Sequence, residues 1–172
     1  MEWLADFAAW AWARHHNMLS WYIRPLFLLP FVLFAYRRSL WGIVLPLVAL
    51  ATSMFWFPAP AEPDPRAVQF LAMEKEYLTG AWTWWKMALS LTVPLSLAAL
   101  ALAFWKRSLL WGLVVINAMA LGKMAWSFLF GDVGGGLAVA TPALVGLVIC
   151  DGAILLAAQW LRGRRTLSRL PG

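Results

Sequence analysis

A single carboxylate lies deep inside an apolar run of this sequence, where ionisable side chains are rare and informative. Asp151 is about ten residues from the basic end of its run, or about 15 Å at helical rise, which places it near the middle of a bilayer. A carboxylate at that depth must face protein or water, pair with another group, or be protonated. Asp151 therefore indicates either an intramembrane ion or proton site or a structural contact between helices.

Asn117 and Lys123, in the preceding apolar run, are the candidate partners of Asp151. Asn117 is close to Asp151 in depth, and a hydrogen bond between them would be worth about 0.6 to 2 kcal/mol in a membrane. The backbone of Lys123 is about 7 Å nearer the outer end, a gap that its side chain can nearly cover. The sequence slightly favours a Lys123 side chain that extends outward, toward Asp132 or the lipid headgroups.

A second group of candidate residues lies near the outer ends of the apolar runs and comprises Arg24, Lys86, Glu74, Glu76, His15 and His16. We expect Arg24 to pair with Glu74 or Glu76 rather than to bind an anion. The two histidines diverge by about 100° on a helix and have no cysteine or fixed carboxylate beside them, which disfavours haem or zinc ligation. The sequence therefore predicts no metal site.

The sequence also lacks the patterns that most enzymes of this size would need. It contains no phosphate-binding loop, no zinc-binding helix and no pair of cysteines, since Cys150 is the single cysteine. Glu74 and Glu76 are two residues apart and diverge on a helix, which makes them a poor catalytic pair. We expect no enzymatic activity and no cofactor.

The composition identifies the class of protein. Of the 172 residues, 63% are hydrophobic and 13% are charged, and several runs exceed the roughly 18 residues that a membrane span requires. The thirteen tryptophans lie mostly near the ends of these runs, where indole rings prefer the headgroup region; a tryptophan-lined ligand or pigment site is the alternative. The sequence therefore predicts an all-α integral membrane protein in contact with lipids.

Two stretches of the sequence are nearly alike. Residues 37–42 (RRSLWG) recur as residues 106–112 (KRSLLWG), and both stretches continue through an apolar run to a Met and a Trp. Trp41, Gly42, Met54 and Trp56 recur at one offset of 70 residues. This pattern predicts a duplicated transmembrane hairpin, each copy with a paired-basic turn in its middle.

The elements predicted to position the candidate residues divide the chain into six segments. These are an interfacial helix (1–17), a first hairpin (18–57), an external Pro-rich connector with an amphipathic helix (58–80), a second hairpin (81–130), a Gly-rich turn and fifth span (131–161), and a basic tail (162–172). The fold prediction is thus five transmembrane helices, built as two parallel-repeat hairpins plus one further span. The amphipathic helix is expected to start at the Asp64–Pro65 pair and to end before Gly80.

The distribution of charge predicts the orientation. The loops on one side hold eight basic residues and no acid: Arg37, Arg38, Lys106, Arg107, Arg162, Arg164, Arg165 and Arg169. Seven of the eight acids fall on the other side. By the positive-inside rule the N-terminus is outside and the C-terminus is cytoplasmic, in the inner (cytoplasmic) membrane. The net charge of +6 is therefore a topology signal, and no nucleic-acid partner is expected.

Two functions fit these observations best. The first is a carrier or channel that acts as a homo-oligomer, with Asp151 as its coupling or selectivity residue, because internal repeats are frequent in transporters. The second is a non-catalytic accessory or assembly subunit of a larger membrane complex, whose Trp-rich faces contact other subunits. A lipid-modifying enzyme ranks last. The sequence favours transport by a narrow margin, on the duplication and Asp151.

Overall fold

The computed structural model describes residues 2–167, which form eight α-helices, two short 3-10 turns and no strand. The helices are α1 (Glu2–His15), α2 (Met18–Ile23), α3 (Leu28–Tyr36), α4 (Leu40–Thr52), α5 (Pro65–Thr79), α6 (Trp84–Trp105), α7 (Leu109–Phe130) and α8 (Val133–Leu167). The 3-10 turns are Arg24–Phe27, between α2 and α3, and Ser53–Phe55, after α4. The predicted all-α class is confirmed.

Four helical segments are long and apolar enough to cross a membrane: Met18–Tyr36, Trp84–Trp105, Leu109–Phe130 and Val133–Gly163. They make the chain a multi-pass membrane protein. The remaining apolar segment, Leu40–Phe55, has 16 residues, or about 24 Å at helical rise, against about 30 Å of hydrocarbon. It is the shortest of the five predicted spans.

The two paired-basic turns have the same backbone geometry. Arg38 and Arg107 each have a φ of 59°, the left-handed conformation that reverses the chain after a helix. Ser39 and Ser108 then cap α4 and α7, each accepting a hydrogen bond from the backbone N–H three residues on, at 3.1 and 3.5 Å. The similar turn sequences therefore fold alike. Duplication of the whole hairpin stays a prediction from the sequence.

A glycine one turn into each capped helix lets the two helices of a hairpin approach closely. The ring of Phe34 packs on Gly42, and the ring of Phe104 packs on Gly112. In both places a Cβ on the glycine would overlap the aromatic ring. These contacts explain why the glycine recurs after both turns, since only a residue without a side chain fits under the ring.

Two apolar clusters hold the helices together. One lies nearer the paired-basic turns and comprises Phe31, Val32, Ala35, Leu100, Phe104, Ile116 and Ile154. The other joins α5 to α2 and α8 and comprises Trp21, Ala67, Phe70, Leu71, Ala138 and Val139. The predicted amphipathic helix α5 therefore buries one face against the transmembrane helices, and this contact brings Glu74 toward them.

The start of α8 differs from the prediction. The Gly-rich turn predicted at the start of segment 131–161 is mostly helical, because α8 already begins at Val133. The side chain of Asp132 accepts hydrogen bonds from the backbone N–H groups of Gly134 (3.3 Å) and Gly135 (2.8 Å), which satisfies donors at the helix start. At its other end α8 continues to Leu167, past the predicted end at residue 161. Residues 168–172 of the predicted basic tail, with Arg169, lie outside the described residues.

Candidate functional site

A break in the first span positions Arg24. Proline has no backbone N–H and does not fit the interior of a helix, so α2 ends just before Pro25 and the chain passes through the 3-10 turn Arg24–Phe27. The turn lies against α8, where the Pro25 ring packs on Gly146. Arg24 is thereby held at the interruption between α2 and α3, about one-third of the way along the span.

Arg24 contacts neutral groups rather than a carboxylate. Its Nε donates to Ser53 Oγ at 3.3 Å, and its Nη2 donates to His15 Nδ1 at 3.2 Å. Among residues 2–167, no carboxylate oxygen lies within 4 Å of its guanidinium. The predicted direct pair with Glu74 or Glu76 is therefore wrong: His15 lies between Arg24 and Glu74, and Glu76 is exposed on α5.

His15 links Arg24 to Glu74. Because Nδ1 accepts from Arg24, the ring proton is on Nε2, which lies 3.7 Å from Glu74 Oε2. The backbone oxygen of His15 accepts a hydrogen bond from Trp21 Nε1 at 2.8 Å. Burial, followed by the charges of Arg24 and His16, lowers the pKa of His15 from its ordinary value, and the contact with Glu74 only partly opposes this. The imidazole is therefore neutral near pH 7.

Lys123 contacts the other carboxylate oxygen of Glu74. Its Nζ lies 3.7 Å from Glu74 Oε1, 4.5 Å from the centre of the Trp126 ring and 5.0 Å from that of Phe70. The side chain thus contacts neither Asp151 nor Asp132, the two partners considered from the sequence. Burial raises the pKa of Glu74, but the contact with His15 and the charges of Lys123 and Arg24 outweigh burial, and the pKa lies below its ordinary value.

These four side chains line one cavity of about 240 Å³, which we call the charged cavity. Its remaining walls are apolar: Trp21, Pro25, Leu50, Phe70, Val139, Pro142 and Ala143. With His15 neutral, two cations (Arg24 and Lys123) face one carboxylate (Glu74), so the formal charge of the lining is +1. A partly buried excess of positive charge attracts an anion more strongly than it would in water.

The predicted hydrogen bond between Asn117 and Asp151 is confirmed. Asn117 Nδ2 donates to Asp151 Oδ2 at 2.9 Å and also contacts the Leu113 carbonyl oxygen at 2.9 Å. The second oxygen, Asp151 Oδ1, is buried and has no hydrogen-bond partner among the described residues. A buried carboxylate oxygen without a donor is unfavourable, so this atom is a place where a proton or a cation would be held.

A second cavity, of about 460 Å³, lies along the other half of α8, and we call it the apolar cavity. Ile154, Ala157 and Leu161 of α8 line it, with Phe104 and Arg107 at the second paired-basic turn. The charged cavity contacts α8 at residues 139–143. Asp151 therefore lies on the stretch of α8 between the two cavities.

Pro25 contacts the stretch of α8 that lies between the two cavities. Its ring packs on Gly146, and its carbonyl oxygen accepts a hydrogen bond from Cys150 Sγ at 3.2 Å. Both contacts come from the stretch of α8 that separates the cavities. The first span and α8 are therefore in direct contact at this level.

The other candidate residues take structural positions. Lys86 is buried; its Nζ donates to the Gly80 carbonyl oxygen at 3.3 Å and lies over the rings of Tyr77 and Trp82, at 4.6 and 4.7 Å. His16 donates from Nδ1 to the Trp12 carbonyl oxygen at 2.9 Å. No group of three or more His, Cys, Asp or Glu residues comes together within residues 2–167 in a way that would hold a metal ion.

Ser53 is the member of the site that the sequence did not reveal. It is fully buried, accepts a hydrogen bond from Arg24 and donates to the Leu50 carbonyl oxygen at 2.8 Å. Its only signal in the sequence is its alignment with Lys123 in the second repeat-like stretch. Both aligned residues contact side chains that line the charged cavity: Ser53 is a neutral acceptor for Arg24, and Lys123 is a cation beside Glu74.

We expect the thermal stability of the protein to decrease as the pH falls below about 6.5. Since the pKa of folded His15 is below its ordinary value of 6.5, the unfolded chain binds this proton first, and stability falls until the pH is also below the pKa of the folded state. Glu74 acts in the same direction below its ordinary value of 4.5, because its folded pKa is also lowered. Thermal unfolding between about pH 7.5 and about pH 4 measures both steps. His15→Gln should remove the upper step and make the lower one smaller, since the contact with His15 is the largest of the effects that lower the Glu74 pKa; an upper step that persists would contradict the assignment.

The candidate site thus has two parts, the charged cavity and the Asn117–Asp151 pair, and both lie against α8. Comparisons of the chain with protein-family models, curated proteins and solved structures found no match.

Proposed function

We propose that this protein is a small carrier or channel whose pathway follows α8, with Asp151 as its coupling or selectivity residue. The observation that supports this most directly is the order of features along α8. The charged cavity, the Pro25 contact with Gly146, Asp151 and the apolar cavity follow one another in that order. A carboxylate with one buried oxygen that lacks a hydrogen-bond partner among the described residues, on the stretch of α8 between two cavities, is the arrangement expected of a residue that holds a proton or ion at depth.

The proposed topology has five spans, with the N-terminus outside and the C-terminus in the cytoplasm, in the inner membrane. The short segment Leu40–Phe55 counts as a span because its end returns to the beginning of the first span. Asn17 Nδ2 donates to the Pro58 carbonyl oxygen at 2.9 Å, and Arg14 donates to the Phe57 carbonyl oxygen at 3.2 Å. The orientation follows from the basic residues in the loops opposite to these contacts.

Transport along α8 requires movement at the Pro25 contact. Interrupted helices that line a binding site are common in carriers, since the freed backbone groups and the helix ends face the solute. The 3-10 turn Arg24–Phe27 provides such an interruption, and its Pro25 ring is in contact with Gly146. A displacement of the first span from α8 would connect the charged cavity to Asp151.

Asp151→Asn is expected to reduce proton flux at least tenfold while leaving the protein folded and inserted. The amide oxygen of the new side chain still accepts the hydrogen bond from Asn117, but the group no longer takes up and releases a proton. The measurement is the quenching of a pH-sensitive dye in proteoliposomes that carry a potassium gradient and valinomycin. The matched control is Asp6→Asn, the same substitution at an exposed position on α1.

Two outcomes would contradict the role of Asp151. Equal flux in the wild-type protein and the Asp151→Asn variant would exclude coupling by this residue. If Asp151→Asn unfolds while Asp6→Asn stays stable, Asp151 has a structural role, which is to join α7 to α8 through Asn117.

The alternative, an accessory or assembly subunit of a membrane complex, is favoured by the exposure of α6 and α7. Only 17% of the most apolar 18-residue stretch of α6, and 11% of that of α7, is buried inside the protein. Most of the surface of these two helices therefore faces lipid, a second copy or another protein. Native mass spectrometry of the protein extracted from its own membranes distinguishes the two functions. Fixed stoichiometry with other proteins favours a subunit, and a homo-oligomer favours the carrier.

A further inference from the structure

We propose that the charged cavity binds a small organic monoanion, whose carboxylate contacts Arg24 and whose apolar part lies against Trp21 and Phe70. Identifying that anion as the transported solute rests on the carrier function proposed above, whereas the binding itself does not. The inference is based on the charge of the lining, the donors left on Arg24, and the size and polarity of the walls.

The lining of the charged cavity has one more positive than negative charge. Glu74 is shared between His15 and Lys123, at 3.7 Å from each. Arg24 has no carboxylate within 4 Å among the described residues, although it is partly buried. Glu74 balances only one of the two cations, Lys123 by contact and Arg24 at longer range, and a single bound negative charge would neutralise the formal excess of +1.

Arg24 retains donors for such a ligand. A guanidinium has five N–H groups in a planar fork, and the contacts with Ser53 and His15 use two of them. Both contacts also fix the orientation of the fork, because Ser53 is fully buried and His15 is nearly so. A carboxylate that enters the cavity would therefore meet an oriented guanidinium with unused N–H groups, the geometry that arginine uses to recognise carboxylates.

The size and the walls of the cavity define the rest of the ligand. Its volume of about 240 Å³ lies below the roughly 300 to 1,000 Å³ of sites for drug-sized molecules. Trp21 and Phe70 pack edge to face, with ring centres 5.4 Å apart, and present aromatic surface to the cavity. These features fit a solute of the size of benzoate or a short-chain fatty acid, and they do not fit a polyanion.

The test is equilibrium binding of radiolabelled benzoate to the purified protein in phosphatidylcholine nanodiscs. We expect saturable binding to the wild-type protein, at least tenfold weaker binding to Arg24→Gln, and unchanged binding to Arg66→Gln. Arg66 is a matched control because it is an exposed arginine paired with Asp64 outside the cavity. Absence of saturable binding, or equal binding to the wild-type protein and Arg24→Gln, would overturn the proposal.

A competition series tests the charge preference without any variant, and so remains informative if Arg24→Gln does not fold. Unlabelled benzoate should displace the label at least tenfold better than neutral benzamide and better than the dianion phthalate. Equal competition by benzamide would overturn the proposal. If phosphatidylglycerol included in the nanodisc displaces the labelled benzoate more effectively than any soluble carboxylate does, a lipid headgroup is the occupant. That result would also overturn the proposal.

Binding and transport fail separately in these experiments. Benzoate binding without benzoate or proton flux in proteoliposomes would leave the site and remove the carrier function. Proton flux that depends on Asp151, without benzoate binding, would leave the carrier and remove this site.

Discussion

Glu74→Gln is expected to lower the free energy of unfolding by about 1 to 3 kcal/mol, because it removes the carboxylate of the charged cavity, which contacts His15 and the half-exposed Lys123. Within residues 2–167, Glu74 is the single carboxylate within 4 Å of either His15 or Lys123. Its charge also offsets that of Arg24 at longer range. Reversible unfolding in mixed micelles measures the change. The control is Glu76→Gln, an exposed position on the same helix, with an expected change within about 0.5 kcal/mol.

A second substitution separates the loss of charge balance from the loss of packing. Combining Glu74→Gln with Lys123→Met removes one positive charge as well and keeps an extended apolar side chain over Trp126 and Phe70. The double variant should be more stable than Glu74→Gln alone, since the two residues are in contact and their effects couple. If Glu74→Gln and Glu76→Gln have equal effects, the charged cavity is not a cooperative part of the fold.

Gly146→Ala is expected to destabilise the protein by about 1 to 3 kcal/mol through overpacking. A Cβ on Gly146 would overlap the ring of Pro25, which is rigid and cannot turn away. Gly152 lies on the same helix with open space around its Cβ position, so Gly152→Ala is the matched control and should be neutral or slightly stabilising in a helix. The comparison uses unfolding in mixed micelles. Equal stability of the two variants would mean that the first span and α8 are not in tight contact at Pro25.

The transmembrane architecture was largely predictable because its signals are local. Apolar runs of sufficient length, paired-basic turns, and the Asp64 cap with Pro65 at the start of α5 each depend on a few neighbouring residues. The Asn117–Asp151 hydrogen bond was also predictable, since two polar residues at one depth in adjacent helices have few other partners in a membrane.

The charged cavity was not predictable, although His15, Arg24, Glu74 and Lys123 were each identified as candidates from the sequence. Four separate elements supply them: α1, the 3-10 turn after α2, α5 and α7. Their meeting depends on α5 burying Phe70 and Leu71 against the transmembrane helices, a tertiary contact with no sequence signal beyond amphipathicity. Depth along a helix predicted the partner of Asp151, whereas the partner of Lys123 depended on which side of α7 faces α5.

The tautomer of His15 makes the charge of the cavity depend on a single proton. The ring supports Arg24 only while Nδ1 has a free lone pair, and a second proton would turn this acceptor into a donor facing a cation. The lining would then have a formal charge of +2 rather than +1, and a bound anion would reduce that excess of positive charge. Proton uptake at His15 and anion uptake beside Arg24 would therefore each strengthen the other by the same factor, as linkage requires of any two coupled binding events.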